Sequence, residues 1–349
     1  MIIPYRTQQS LRRLGITLLA LLAFAVILLL CWFLWLQRYV VYTSDGARFD
    51  FNISLEFSGG ETAQKPQPPS AGDLIFTEGT NVFDETTKEL VRFSGYRVTL
   101  EELVADIDAV REKIAALPKG TTILLELKSA KGEFAYTSTL GPNVPGLDSV
   151  KVDELLVFLR KNGYYTIAMV PAFIEYEYFM ADTQNWSRNA HGLAKKGGNG
   201  ALWQDPVNKP CYWLNPANDG ARSFLIQIIS ELRSFGLNEV VFSDFLFPDT
   251  DQVNFTGDRA EALAEAAEIL VKTCSTETFA VSFLRNKVDL PLPEGRTRLY
   301  LTGVSAGDAA IMAGKTDFAD PSLQVVFFAE TNDTRYDEYC VLRPLDMAR

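Results

Sequence analysis

"EVVFSDFLFPD", residues 239–249, is an apolar run that ends on an acid. A strand buried on both faces of a parallel sheet reads as a near-continuous series of Val, Leu and Phe. This one stops at Asp244, with further aromatics and Pro248 directly behind it. Barrels of parallel strands keep their chemistry at the carboxyl ends of the strands, which makes Asp244 the first candidate for a functional group. The competing reading is structural: an aspartate there caps the following loop by accepting backbone N–H bonds.

Outward from this strand, strand-like and helix-like segments alternate. "ELVRFSGYRV" (89–98), "TTILLEL" (121–127), "YYTIAMVPAF" (164–173), "TFAVSFL" (278–284), "TRLYLTGV" (297–304) and "LQVVFFAE" (323–330) carry the strand pattern. Between them, residues 99–117, 149–163, 218–236 and 256–274 carry the 3.6-residue helical period, and Thr99 with Glu102 forms a capping-box signature. Strands separated by such helices imply right-handed β-α-β units. Seven or eight of them over residues 74–349 fit a (β/α)8 TIM-type barrel, irregular in its second half, where "RNKVDLPLPEGR" replaces a helix. A doubly wound open sheet is the alternative, but "SGYRVT" is no Gly-rich phosphate turn.

The N-terminal part has a different character. Leu14 to Leu36 is 23 residues without a charge, long enough to span a bilayer as a helix. Arg6, Arg12 and Arg13 precede it, and Arg38 and Arg48 follow. That excess before the span puts residues 1–13 in the cytoplasm and the rest outside it. Residues 37–73 hold a short strand-like stretch and a Pro/Gly-rich linker. The expected order is therefore a cytoplasmic N-terminus, a transmembrane helix at 14–36, a linker, and an extracytoplasmic barrel.

A net charge of −11 argues against a nucleic-acid partner. The one histidine, His191, sits in a basic stretch and reads as solvated, which argues against a Ser-His-Asp hydrolase and a multi-His zinc site. A metal-dependent deacetylase is disfavoured on the same ground. No metal or other cofactor is expected. Of the four cysteines, Cys31 falls in the span, and Cys211, Cys274 and Cys340 are too sparse for a disulfide framework.

From "CYWLNPANDGARSFLIQIISELRSFGLNEVVFSDFLFPD" (211–249) the sequence resembles a family of glycosyl hydrolase barrel domains, long catalogued as domains of unknown function and distantly similar to α-amylase-type barrels. The family pattern is a Trp, "DP", a helix, then "GFDEIQFDYVRFP" or "GVDGIHFDDYFYP". The resemblance runs from Leu90 to Pro248 and takes in "KGTTILLELKSAKGEFAYTS", "VKVDELLVFLRKNGYYTIAMVPAF" and "GALWQDPVNKPCYWLNP". It implies a barrel that hydrolyses glycosidic bonds. Several acidic positions of the pattern depart: the first Asp of "FDY" or "FDD" falls on Ser243, the "DP" Asp on Asn215, and the Asp of a "DvK" motif on Glu126, with its Lys at Lys128. "VSFLRNK" lacks the carboxylate the family tends to place after the fifth strand.

Glycoside hydrolysis uses two carboxyl groups, one to protonate the leaving oxygen and one to attack the sugar or activate water. Asp244 is the expected nucleophile or base, with Glu330 or Glu126 as partner. Glu126 and Lys128 alternate on "LLELK" and are expected to form an ion pair lining the pocket, where Lys128 positions substrate. Trp203, Tyr212, Trp213 and Asn215, in and after the long 174–214 stretch, are the expected substrate-binding groups, since sugar rings present apolar faces to aromatic rings. The partner would be a polysaccharide or oligosaccharide. The second reading is a barrel that has lost catalysis and binds glycan or scaffolds the envelope.

Overall fold

The computed structural model describes residues 90–184 and 187–348, together with the backbone of an antiparallel hairpin, Val40–Thr43 with Gly46–Phe49. The chain divides into two units, Met1–Leu74 and Ile75–Arg349. The expected transmembrane segment 14–36 and most of residues 37–73 lie outside the described residues. Among the described residues no helix is long and apolar enough to cross a membrane.

Eight strands close into a barrel: β1 (Ser94–Val98), β2 (Thr122–Glu126), β3 (Tyr165–Pro171), β4 (Glu239–Ser243), β5 (Ala280–Arg285), β6 (Leu299–Leu301), β7 (Val325–Phe328) and β8 (Cys340–Pro344). Sequential strands are neighbours, β8 pairs with β1, and every pairing is parallel. Successive side chains of a strand point to opposite faces. Leu124, Ile167, Met169, Val241, Tyr300, Val326, Phe328 and Leu342 form one cluster inside the barrel. Their neighbours Leu125, Ala168, Val240, Phe242 and Phe283 join a second cluster with the surrounding helices. All seven residues of β3 are buried, which is why its sequence carries no alternation. By the same alternation Glu126 shares the inward face of Leu124, and Ser243 that of Val241.

Four long helices cover the first half: α1 (Leu100–Ala115), α2 (Ser149–Lys161), α3 (Asp219–Ser234) and α4 (Arg259–Cys274). Thr99 and Glu102 form the capping box read from the sequence. In α1, Leu103, Ile107, Val110 and Ile114 are the buried stripe, at spacings of three and four. After β5 the covering thins, as expected: residues 286–298 contain no helix, and α5 (Ala309–Ala313) and α6 (Pro321–Gln324) are a turn or so each. The eighth strand escaped the sequence reading, which stops at 330. β8 is five residues long and carries Arg343, with acids on both sides of it in "DEYCVLRPLD".

The amino-terminal end of the barrel holds a polar knot that no motif announces. Glu239, at the start of β4 and fully buried, accepts hydrogen bonds from Tyr165 Oη (2.9 Å), Tyr300 Oη (2.9 Å), Ser282 Oγ (2.5 Å) and Arg298 Nη1 (2.5 Å). Arg298, 1% exposed, also donates to the carbonyls of Leu323 and Val91 and lies over the Phe93 ring. One carboxylate and one guanidinium thus connect β3, β4, β5, β6 and the segments leading into β1 and β7. Burial raises the tyrosines Tyr165 and Tyr300 above their ordinary value, and the Glu239 charge beside them adds to the rise.

Candidate active site

Asp244 follows β4 directly and adopts φ +52°, a left-handed conformation that L-residues reach only at a cost. Its surroundings hold it there. Leu246 N–H returns to the Asp244 carbonyl at 2.9 Å. Arg285, at the end of β5 and 7% exposed, donates through Nη1 to the Phe245 carbonyl, while Nε and Nη2 grip the Asp289 carboxylate at 3.0 and 2.7 Å. The sequence reading saw at "VSFLRNKVD" only a missing acid. The signal available there was an Arg-Asp pair four apart at a strand end. We expect Arg285→Gln to leave the Phe245 carbonyl and the Asp289 carboxylate short of donors, at about 1–3 kcal/mol. Urea unfolding would measure it, and a change below a few tenths would show that the turn holds without the clamp.

The Asp244 carboxylate is partly buried, and its hydrogen-bond donor is a hydroxyl, Ser243 Oγ at 3.1 Å. Among the described residues no backbone N–H donates to it, in contrast to Asp148 and Asp258, which cap α2 and α4 through two backbone N–H groups each. Burial pushes the Asp244 pKa above the usual carboxylate range; the Ser243 bond and the Lys128 charge pull it back, and Asp205 adds to the rise. A loop-capping carboxylate would show the opposite direction, because N–H donors stabilise the charged form.

Glu126 ends β2 and borders a cavity of about 320 Å³ at the same end of the barrel, together with Lys128, Met169, Pro171 and Ser243. One of its oxygens accepts the Leu100 N–H, the first of α1, at 3.0 Å. Burial raises its pKa, and the Leu100 bond and the Arg97 charge oppose that rise.

Lys128 does not pair with Glu126. β2 ends at Glu126, and the chain then turns into a hairpin in which Lys128 faces Phe134, so the strand alternation no longer applies. Its ammonium instead meets the carboxylate of Glu175, and both side chains are sealed from solvent. Gly132 lies against this pair with φ +98°, and a Cβ there would come within 2.2 Å of Glu175 Oε2. Burial raises the Glu175 pKa, with Lys128 opposing. Glu330 lies beyond β7, is exposed, and is ion-paired to Arg97 at 2.5 Å.

The aromatic residues of the 174–214 stretch divide. Trp203 and Trp213 are 7% and 4% exposed and pack in the core. Trp213 Nε1 donates to Asp205 at 2.8 Å, and Asp205 also accepts from the Val207 and Asn208 backbone. Burial works to raise Asp205, but these bonds outweigh it and hold its pKa below the usual range. Tyr212 stays partly exposed and stacks on Tyr176 at 6.5 Å and 11°. Asn215 turns its side-chain oxygen to the Ala217 N–H. His191, expected in solvent, is partly buried and joined to Tyr178 Oη at 2.7 Å through Nδ1. The sequence reading missed the structural role of Asp205, whose partner Trp213 it had assigned to ligand.

Eight parallel strands, closed into a barrel with acids at their carboxyl ends, define a TIM-type barrel protein. Residues 103–280, just over half of the chain, match the family described as "Putative glycosyl hydrolase domain", and the chain belongs to that family. No curated protein matches the sequence. Among solved structures, the chain is similar to a Paenibacillus cycloisomaltooligosaccharide glucanotransferase complexed with cycloisomaltoheptaose (9% identity, 70% of this chain and 39% of that one, TM-score 0.48). An α-galactosidase from Lactobacillus brevis matches at 10% identity, over 76% of this chain and 39% of that one, with TM-score 0.47. The glycoside hydrolase domain of PelA from Pseudomonas aeruginosa matches at 14% identity, over 73% and 96%, with TM-score 0.42.

Proposed function

We propose that this protein is a glycoside hydrolase, anchored in the membrane through residues 14–36, whose barrel acts outside the cytoplasm on a polysaccharide of the envelope or the surroundings. The observation that carries the proposal is Asp244: a partly buried acid of raised pKa, held by a hydroxyl, at the carboxyl end of a barrel strand. Such a group keeps its proton longer than an ordinary carboxyl, so it suits protonation of a leaving glycosidic oxygen better than the nucleophile role expected from sequence. Glu126 is the proposed partner. Burial raises its pKa as it does that of Asp244, so what sets its role apart is the Leu100 N–H at the start of α1, which opposes the rise and supports the ionised form that would attack the sugar or activate water. Tyr212 and Tyr176 offer a ring surface for a sugar face. Glu330, committed to Arg97, and the enclosed Trp203 and Trp213 have weaker claims to the substrate.

The second reading, a barrel that binds glycan without cleaving it, is favoured by one observation: the inward position that the family pattern gives to an aspartate is Ser243. Incubating the full chain with a panel of envelope and plant polysaccharides, and assaying new reducing ends, separates the two. Release that Glu126→Gln lowers at least a hundredfold supports hydrolysis with Glu126 in the chemistry. Saturable glycan binding with no release by the wild type supports the second reading. Protease added to intact cells is expected to remove the barrel by cutting in the Pro/Gly-rich linker at 58–72; protection until the cells are opened would reverse the orientation.

A further inference from the structure

We propose that Arg285 is a positioning residue for Asp244: clamped by Asp289, it fixes the turn after β4 that aims the Asp244 carboxyl at the barrel mouth. That role rests on Asp244 being the acid of the proposed reaction.

Aspartate enters the left-handed region mostly where its short side chain bonds to the backbone nearby. Asp244 has no such support: among the described residues the donor to its carboxylate is the Ser243 hydroxyl, and no backbone N–H reaches it. Its φ of +52° is imposed by its surroundings, and residues in such sparsely populated conformations persist only where those surroundings over-determine them. Both sides of Asp244 are pinned. Ser243 is the last residue of β4, and its carbonyl accepts the Ala172 N–H at 2.8 Å. Phe245 is fully buried, with its ring centre 4.9 Å from that of Phe173 and 4.4 Å from that of Phe283.

The peptide between Phe245 and Leu246 is what Arg285 controls. Its N–H donates to the Asp244 carbonyl at 2.9 Å, closing a three-residue turn, and its C=O accepts from Arg285 Nη1. With donor and acceptor both held, this peptide cannot rotate without breaking a hydrogen bond. Phe283 and Arg285 are two apart on β5 and share a face, so one strand packs the Phe245 ring and holds its carbonyl. The guanidinium is 7% exposed and is itself oriented by the Asp289 carboxylate, which Lys287 Nζ also meets at 3.2 Å. Burying a guanidinium is costly, and the Phe245 ring is already fixed by its neighbours, so packing alone does not call for it. What Arg285 adds is the direction of one peptide beside the acid. Its donors are spent on Phe245 and Asp289, so it reaches Asp244 through the backbone. The groups that act on the carboxyl itself are Ser243 beside it, Lys128 from the hairpin after β2 and Asp205 from the 174–214 stretch, and Glu126 lines the cavity that Ser243 borders.

Two readouts test this role, and one needs no substrate. Stability of the wild type is lost as pH rises through the folded-state value of Asp244, and comparison with Asp244→Asn isolates that loss. In Arg285→Gln the freed turn lets the carboxyl relax into water. The pH-dependent gap between this chain and Arg285→Gln/Asp244→Asn is expected to shrink by about half or more, because the burial behind it is lost. On a polysaccharide that the wild type cleaves, Arg285→Gln is expected to lower kcat about a hundredfold with KM within about twofold, the scale of a small misplacement of a reacting group. Arg285→Lys is expected to recover only part of kcat, because an ammonium cannot hold the carbonyl and also grip the carboxylate in a fork. Asp289→Asn, at a less buried position, is expected to move both readouts in the same direction by less, and it carries the test if Arg285→Gln does not fold. Lower stability with the pH gap and kcat unchanged in these variants makes Arg285 a structural clamp alone and overturns the proposal. A wild type that cleaves no glycan removes the hydrolytic reading of Asp244, and the pH gap then decides the role of Arg285 by itself.

Discussion

Replacing Glu239 with methionine is expected to cost about 3–5 kcal/mol, the usual scale for removing one member of a buried ion pair. Whole domains are stable by only about 5–15 kcal/mol. The loss has three sources on the same atoms. Arg298 keeps its charge with no counter-ion, Tyr165 and Tyr300 lose their acceptor, and Ser282 loses its own. Arg298→Met alone should be nearly as damaging, because it leaves the carboxylate buried and unpaired. The double variant Glu239→Met/Arg298→Met should be markedly less damaging than the sum, since apolar groups of similar volume can replace a buried pair at little cost. Urea midpoints of the four chains test this, and strict additivity would mean that the two charges do not depend on each other. The tyrosines add a pH signature. Their folded-state pKa values lie above the unfolded value of about 10, so the stability they contribute is complete below that pH and is lost as pH rises beyond it. Tyr300→Phe should therefore flatten the alkaline limb of the stability curve.

That knot also marks where the sequence stops being legible. The barrel could be read because β2, β3 and β4 have apolar middles and α1, α2, α3 and α4 carry caps and a buried stripe at regular spacing. Those signals are local. Glu239, by contrast, looks like a polar residue starting a strand, and its four partners come from 43 to 74 residues away. No local pattern can announce such a group. The same holds at the candidate site. Asp244 was visible because it interrupts an apolar run. The pairing of Lys128 was misread because the strand alternation was extended two residues past the strand's end. Trp203 and Trp213 were taken for ligand groups because composition cannot separate an aromatic ring that binds sugar from one that folds a long loop. The indole N–H bonded to Asp205 marks Trp213 as a loop-folding ring.

Asp244→Asn should lower hydrolysis by about 10²- to 10⁴-fold, the contribution typical of a positioned general acid. The same substitution should leave stability within about 1 kcal/mol of the wild type, and the sign of the small difference is informative. Burial raises the folded-state pKa of Asp244 above the unfolded value of about 3.9. The native state therefore prefers the proton, and stability is lost as pH rises through the folded-state value. Asparagine cannot ionise, so the variant should gain on the wild type between acid and neutral pH. A carboxylate that caps a loop would behave in the opposite sense: its pKa would be depressed, and its removal would cost most at neutral pH. Unfolding midpoints of the two chains at acid and neutral pH distinguish these directly, without any substrate. If Asp244→Asn is the less stable chain at neutral pH and the gap closes in acid, Asp244 is a structural cap. If the variant is as stable or more stable and inactive, the acid at the end of "EVVFSD" is there for chemistry, at the expense of a native state that would fold more comfortably without its charge.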